Sequence, residues 1–266
     1  MPVLQKSING QQAPEYRHMK YLPAFALALA MAHGGVSAAE SVEEKLGWQT
    51  SAELGAISTS GNTTGTSITG KIDARQELED WSNEYIATGF YKEDRYKEDG
   101  ITHSNRSAER FSFSAKSAYK LVDDQEKLFV LGSYVDDKFG AFTQYTTIAV
   151  GHATRWFESA NKTLDVELGP GWISRTRANG DEESGLTARA AANYRWKISP
   201  SASFSQTLSL ESGAGNLHSV AETALSTKIN GTMQMKAAFS ARSDTNVPAD
   251  KKNTDTQTSV TLVYSF

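Results

Sequence analysis

Residues 66–78 read TSITGKIDARQEL, and the fold turns on how that stretch alternates. Ile68, Gly70, Ile72, Ala74 and Leu78 fall on one side of an extended chain, while Ser67, Thr69, Lys71, Asp73, Arg75 and Glu77 fall on the other. Successive side chains of a strand point to opposite faces, so a period of two with one apolar and one charged face predicts a strand standing between two media. The pattern recurs at residues 186–197, where Leu186, Ala188, Ala190, Ala192, Tyr194 and Trp196 oppose Thr187, Arg189, Asn193, Arg195 and Lys197. From Trp48 to Phe266 about twelve such segments follow one another, near 47–58, 65–78, 82–93, 106–120, 127–137, 143–156, 162–174, 185–198, 202–212, 218–229, 232–243 and 255–266. Segments three, five and six alternate poorly, and their faces stay open. Short turns alternate with longer connections such as KEDRYKEDGITHSN (92–105), TRANGDEESG (176–185) and SDTNVPADKKNTD (243–255). Asn230-Gly231 is the strongest short hairpin signal, predicting a turn with both residues at φ > 0. An even number of antiparallel strands with short turns on one side predicts an all-β, closed antiparallel transmembrane barrel with short periplasmic turns and longer extracellular loops.

The N-terminus agrees with a chain that leaves the cytoplasm. Arg17 and Lys20 precede the apolar run YLPAFALALAMA (21–32), followed by HGGVSAAE. Val36 and Ala38 fit the small-x-small rule with a cut before Ala39, and Ser37 and Ala39 fit a cut before Glu40. The reading is a secretory leader within 1–38, starting near Met19, and a barrel domain over 39–266. A membrane anchor is the competing reading, but the run is shorter than the roughly 20 apolar residues a spanning helix needs. The chain has 266 residues and no cysteine, which excludes thiolate metal sites and disulfides. Mean hydropathy of −0.46 excludes a bundle of membrane helices. Removing the leader takes three of 27 basic and one of 31 acidic residues, so the rest is more acidic still and nucleic acid is not an expected partner.

Two features favour lipid over water outside the barrel. Aromatic residues gather at segment ends: Trp48, Trp81, Tyr119, Trp156, Trp196 and Tyr264 toward the short turns, and Tyr91, Tyr134, Phe142, Tyr145 and Trp172 toward the other boundary. Two girdles are what amphipathic rings form at lipid interfaces. The chain also closes on TSVTLVYSF, in which Val260, Leu262, Tyr264 and Phe266 alternate up to a terminal aromatic. That pattern resembles the signal by which outer-membrane barrels are handed to the barrel-assembly machinery, an expected partner together with outer-membrane lipid and lipopolysaccharide.

The stretch AELGAISTSGNTTGTSITGKIDARQE (52–77) resembles the opening of a family of salt-induced outer-membrane proteins, otherwise labelled a domain of unknown function. The resemblance rests on Glu53-Leu54-Gly55 and Thr59-Ser60-Gly61-Asn62-Thr63, with the closing pattern through Phe266, and spans about residues 47–266. It implies an outer-membrane barrel in a Gram-negative envelope and a link to salt or osmotic conditions. It implies no catalytic residue. Read on its own chemistry, Ser60-Gly61-Asn62-Thr63 is a turn cluster that tolerates left-handed backbone.

Catalytic and metal chemistry find little footing. His103, His152 and His218 lack ligand spacing, and no cofactor is expected. His152 is expected inside a strand as a wall residue. Asp136-Asp137, KEDRYKEDG and Asp181-Glu182-Glu183 are expected as solvated outer loops rather than a calcium site. The functional signal is the charged face. Strands of clear parity turn Glu53, Lys71, Asp73, Arg75, Arg110, Lys116, Asp165, Glu167, Arg189, Arg195, Lys197, Glu211, Glu222, Lys228, Lys236 and Arg242 into the lumen. Mixed signs at this density predict interlocking ion pairs in a filled or narrow pore, and the basic excess favours small anionic solutes if water passes. The leading expectation is a non-enzymatic outer-membrane barrel, a narrow channel or an envelope-integrity protein. The alternatives are a lipid-acting outer-membrane enzyme and a soluble periplasmic barrel that binds a ligand.

Overall fold

The computed structural model describes residues 46–59, 64–98, 101–122, 125–249 and 251–266. The leader region and Ser60–Thr63 therefore lie outside the described residues. Twelve strands follow one another: β1 (Gly47–Thr59), β2 (Thr64–Glu77), β3 (Trp81–Glu98), β4 (Ile101–Val122), β5 (Glu126–Asp137), β6 (Phe142–Ser159), β7 (Lys162–Arg177), β8 (Glu182–Lys197), β9 (Ala202–Gly213), β10 (Asn216–Lys228), β11 (Met233–Asp244) and β12 (Thr254–Ser265). Each pairs antiparallel with its sequence neighbours, and β1 pairs with β12, so the sheet closes on itself. Closure satisfies every strand edge, which lipid could not do.

Polarity is inverted relative to a water-soluble barrel. Large apolar side chains stand exposed around the outside, among them Leu54, Ile72, Phe111, Val130, Ile148, Leu168, Leu186, Leu225, Met235 and Leu262; Leu186 is 76% exposed. Charged side chains of the same strands point inward, where they meet across the lumen. This is the arrangement of a barrel standing in lipid.

The lumen is not charged throughout. Ala118, Phe129, Leu131 and Ala149 form a buried apolar patch on β4–β6. It explains why segments five and six alternate poorly: Phe129 and Leu131 inside face the same way as polar residues elsewhere, while Leu128 and Val130 outside are equally apolar. Phe129 lies over Gly151, where an added Cβ would fall 2.8 Å from the ring.

Several boundaries differ from the sequence reading. KEDRYKEDGITHSN is not a loop. β3 and β4 remain paired from Trp81↔Tyr119 to Glu98↔Ile101, with a bulge at Lys92/Glu93. The last β4–β5 pair is Arg110↔Asp137, so the hairpin runs on from 110 to 101, roughly 30 Å along the strand. Apart from 245–253, the connections at that end are as short as those at the other, and the asymmetry between the ends comes mostly from strands that overshoot. The left-handed two-residue turn is also displaced. Asn230 and Gly231 do not have positive φ; Asn230 Oδ1 instead accepts the backbone N–H groups of Thr232 (2.9 Å) and Met233 (2.8 Å). Ala214 and Gly215 take φ of 48° and 73° between β9 and β10. The aromatic assignment also needs correction. Phe142 and Tyr145 are buried inside the barrel and not in a girdle, whereas Trp48, Trp81, Tyr119, Trp156, Tyr264, Tyr134 and Trp172 are exposed outside.

Candidate functional site: a belt of alternating charge in the lumen

Strand parity and register bring the lumenal charges into one chain of contacts. Glu222 on β10 meets Lys236 on β11 (3.0 Å), which meets Glu53 on β1 (3.3 Å). Glu53 faces Lys71 on β2 (3.8 Å), and Lys71, Asp73 and Arg75 pair in turn along that strand at 3.1 Å each. Arg75 reaches Glu84 on β3 (3.2 Å), and Glu84 lies 3.8 Å from Lys116 on β4. Lys116 then crosses to Glu167 on β7 at 2.6 Å. Glu167 continues to Arg189 on β8 (3.8 Å) and Arg189 to Glu211 on β9 (3.9 Å). Glu211 accepts hydrogen bonds from Tyr145 Oη (2.7 Å) and Thr147 Oγ1 (3.0 Å) of β6, and Thr261 of β12 donates to Glu53.

The belt begins on β10 and ends on the adjacent β9, so it travels round the lumen. Sign alternates at every step, six carboxylates against five cations. Every carboxylate but the terminal Glu222, which has Lys236 alone, sits between cations or hydroxyl donors, which is what makes ions tolerable away from bulk water. The Lys116–Glu167 contact skips the two strands between them and so bridges the interior directly. On either side of the belt are cavities. One of about 150 Å³ lies toward the short turns and includes Arg155, Asp165 and Arg195; one of about 320 Å³ lies at the other end.

Of the lumenal residues read from the sequence, ten lie in the belt: Glu53, Lys71, Asp73, Arg75, Lys116, Glu167, Arg189, Glu211, Glu222 and Lys236. Asp165 and Arg195 sit apart, with Arg155 at 2.9 Å and Arg195 at 3.9 Å from Asp165. Arg110 and Arg242 line the outer cavity. Lys197 and Lys228 are exposed at the short-turn rim. Val260, Leu262, Tyr264 and Phe266 are all exposed on the outside of the closing strand.

Other participants escaped the sequence reading. Glu84 is one, because β3 mixes Ile86 and Phe90 with Glu84 and Thr88 on its inner face. Arg175, Arg177 and Glu183 are others, since the segment boundaries left them in a loop. Arg175 is 2% exposed: it pairs with Glu183 at 2.7 Å, donates to Ala214 O at 3.0 Å and lies 4.5 Å over the Phe142 ring. It thereby pins the strained β9–β10 turn to β7. Glu183 is accordingly part of a lumenal clamp rather than a solvated loop. Asp137 accepts from the N–H groups of Phe139 and Gly140, and Asp136 pairs with Lys138. Among the described residues, no group of three or more His, Asp or Glu side chains is placed to hold a metal ion. His152 faces outward, half exposed, 3.7 Å from Glu126. His218 lies inside with Asp244 at 3.0 Å.

Solved structures with a similar chain path include the translocator domain of autotransporter NalP from Neisseria meningitidis (14% identity, 85% of this chain and 90% of that chain, TM-score 0.48). An outer membrane channel from Pseudomonas putida F1 gives 11% identity, 88% and 100% coverage and a TM-score of 0.49. The NanC porin gives 11% identity, 82% and 98% coverage and 0.48. Likeness at this level says nothing about what this chain binds. No curated protein matches the chain. Residues 52–266 match a family whose description names neither a function nor a response to salt, and the chain belongs to that family, described as "Protein of unknown function, DUF481".

Proposed function

We propose that this chain is a non-enzymatic protein of the outer membrane, a narrow passage for small solutes whose constriction is the charge belt. In this reading residues up to about 38 are an export leader, the short turns face the periplasm and the β3–β4 hairpin faces outward. The observation that carries it is the belt itself: ion pairs across the interior, between two cavities, inside a barrel whose outer surface suits lipid. Twelve strands lie between barrels filled by side chains and open sixteen-stranded porins. A belt of half-buried pairs also ties the passage to ionic strength, because salt screens such pairs in proportion to their exposure. That gives a physical form to the salt link implied by the family resemblance.

The test is conductance of the purified protein in planar bilayers. Small currents are expected, together with a conductance that rises with salt more steeply than the bulk electrolyte. Replacing Lys116 and Arg189 by Glu should move selectivity toward cations, since fixed charge in a narrow lumen acts strongly on passing ions. Absence of current at every salt concentration would overturn the passage and leave a filled barrel.

A further inference from the structure

We propose that the outer half of the lumen contains a binding subsite for a small oxyanion, clamped between Arg110 and Arg242. The inference deepens the passage reading and rests on solutes entering the lumen from that end. Arg110 on β4 and Arg242 on β11 rise from nearly opposite walls. Both border a cavity of about 90 Å³ beside the belt and the wider cavity of about 320 Å³ that opens outward from it.

Among the described residues, neither guanidinium forms an ion pair within 4.0 Å. This departs from the rest of the lumen, because each has an aspartate opposite it in register: Arg110↔Asp137 and Arg242↔Asp255. Asp137 lies near enough to attract Arg110 across the lumen wall but gives its hydrogen bonds to the backbone N–H groups of Phe139 (3.2 Å) and Gly140 (3.0 Å). Asp255 is exposed at the mouth. The carboxylates bordering the smaller cavity, Glu53 and Glu222, are both held by Lys236. Lys71 is held by Asp73 at 3.1 Å as well as by Glu53, so the positive charge left over at the smaller cavity is that of Arg110 and Arg242, while Asp137, Asp244 and Asp255 border the wider one.

A guanidinium presents a planar fork of donors that matches the oxygens of a carboxylate or phosphate, and two forks converging on one space favour such a group over a halide. A cavity of about 90 Å³ takes one such group, with the body of a larger solute extending into the outer cavity. The ligand class is therefore a small molecule bearing one carboxylate or phosphate.

The experiment is calorimetric titration of the full detergent-purified protein with inorganic phosphate and, separately, with acetate, at constant ionic strength set by chloride. Saturable binding of one anion per chain is expected. Arg110→Gln and Arg242→Gln should each weaken it at least tenfold, whereas Lys197→Gln, exposed at the opposite, short-turn rim, should leave it within about twofold. Binding that is unsaturable, or that survives both arginine variants, overturns the subsite. Bilayer currents separate the two proposals. Saturable binding without current sustains the subsite and sinks the passage; current without saturable binding does the reverse.

Discussion

Lys116 and Glu167 offer the sharpest probe of the belt, because their contact joins non-adjacent walls. At 2.6 Å and an effective dielectric near 20, their Coulomb attraction is about 6 kcal/mol before desolvation. Withdrawing both ions from water returns most of that. The side chains keep 24% and 15% of their exposure, so desolvation is incomplete and a net coupling of about 1–3 kcal/mol is expected. Lys116→Met leaves Glu167 with Arg189 at 3.8 Å, and Glu84 with Arg75 at 3.2 Å. Each carboxylate thus retains one cation, and the single variant should lose about 2 kcal/mol rather than the 3–5 kcal/mol of a fully stranded buried charge. The assay is a double-mutant cycle of Lys116→Met with Glu167→Gln, read by guanidinium unfolding from lipid vesicles using the intrinsic Trp signal. Both variants should also raise conductance by loosening the constriction. Strict additivity, with coupling below about 0.3 kcal/mol, would refute a direct cross-lumen pair and with it the continuity of the belt.

Other expectations follow from packing, turn and strand. Gly169→Ala would place a Cβ 2.0 Å from Val150 O, so folded yield, scored as the heat-modifiable band on a gel, should collapse; Gly89→Ala, with open space around its Cβ, should fold normally. Ala214 holds φ 48° without the freedom of glycine, so Ala214→Gly should stabilise by about 1 kcal/mol in the same unfolding assay, provided the Arg175 contact to its carbonyl persists. Leu262→Asp with Tyr264→Asp should block membrane insertion, because a charge on the lipid face costs up to roughly 2–4 kcal/mol for Arg or Lys at mid-membrane and somewhat less for Asp. Ser265→Asp, on the inner face, should insert, and the opposite pairing of outcomes would invert the faces assigned to β12.

The strand order and the faces of most strands were legible in the sequence because lipid and lumen impose opposite chemistry on alternate residues. β2 and β8 show this most plainly: every second residue of 68–74 or 186–196 is apolar or small. Legibility failed where the lumen itself turns apolar. Phe129 and Leu131 serve an internal patch with Ala118 and Ala149, so β5 is apolar on both faces and its period vanishes. It failed again where strands continue past the membrane: residues 92–95 and 103–105 are polar on both sides, since water bathes both, and composition alone reads them as loop. Arg175 and Glu183 were lost because Arg175-Thr176-Arg177 and Glu182-Glu183-Ser184 are polar in succession, which hides the period although Arg175 itself is buried. Asn230-Gly231 did not form a left-handed two-residue turn because the connection there spans 229–232 and Asn230 Oδ1 caps it from inside, whereas the left-handed Ala214-Gly215 turn is held by Arg175, a tertiary contact that local turn preference does not encode. The belt's members were individually readable, but its continuity depends on register, which pairs Glu53 with Lys71 and sets Lys116 within reach of Glu167.

The central claim is that lipid lies outside this barrel and a polar lumen inside, and the cysteine-free sequence permits a direct measurement. Single cysteines placed at each residue from 186 to 196 on β8, spin-labelled in vesicles, report oxygen and aqueous nickel-chelate accessibility by electron paramagnetic resonance. The account predicts a period of two, with oxygen accessibility highest at Leu186, Ala188, Ala190, Ala192 and Tyr194 and low at Thr187, Arg189, Ala191, Asn193 and Arg195. The opposite phase, or uniform exposure to the aqueous reagent along the strand, would contradict it.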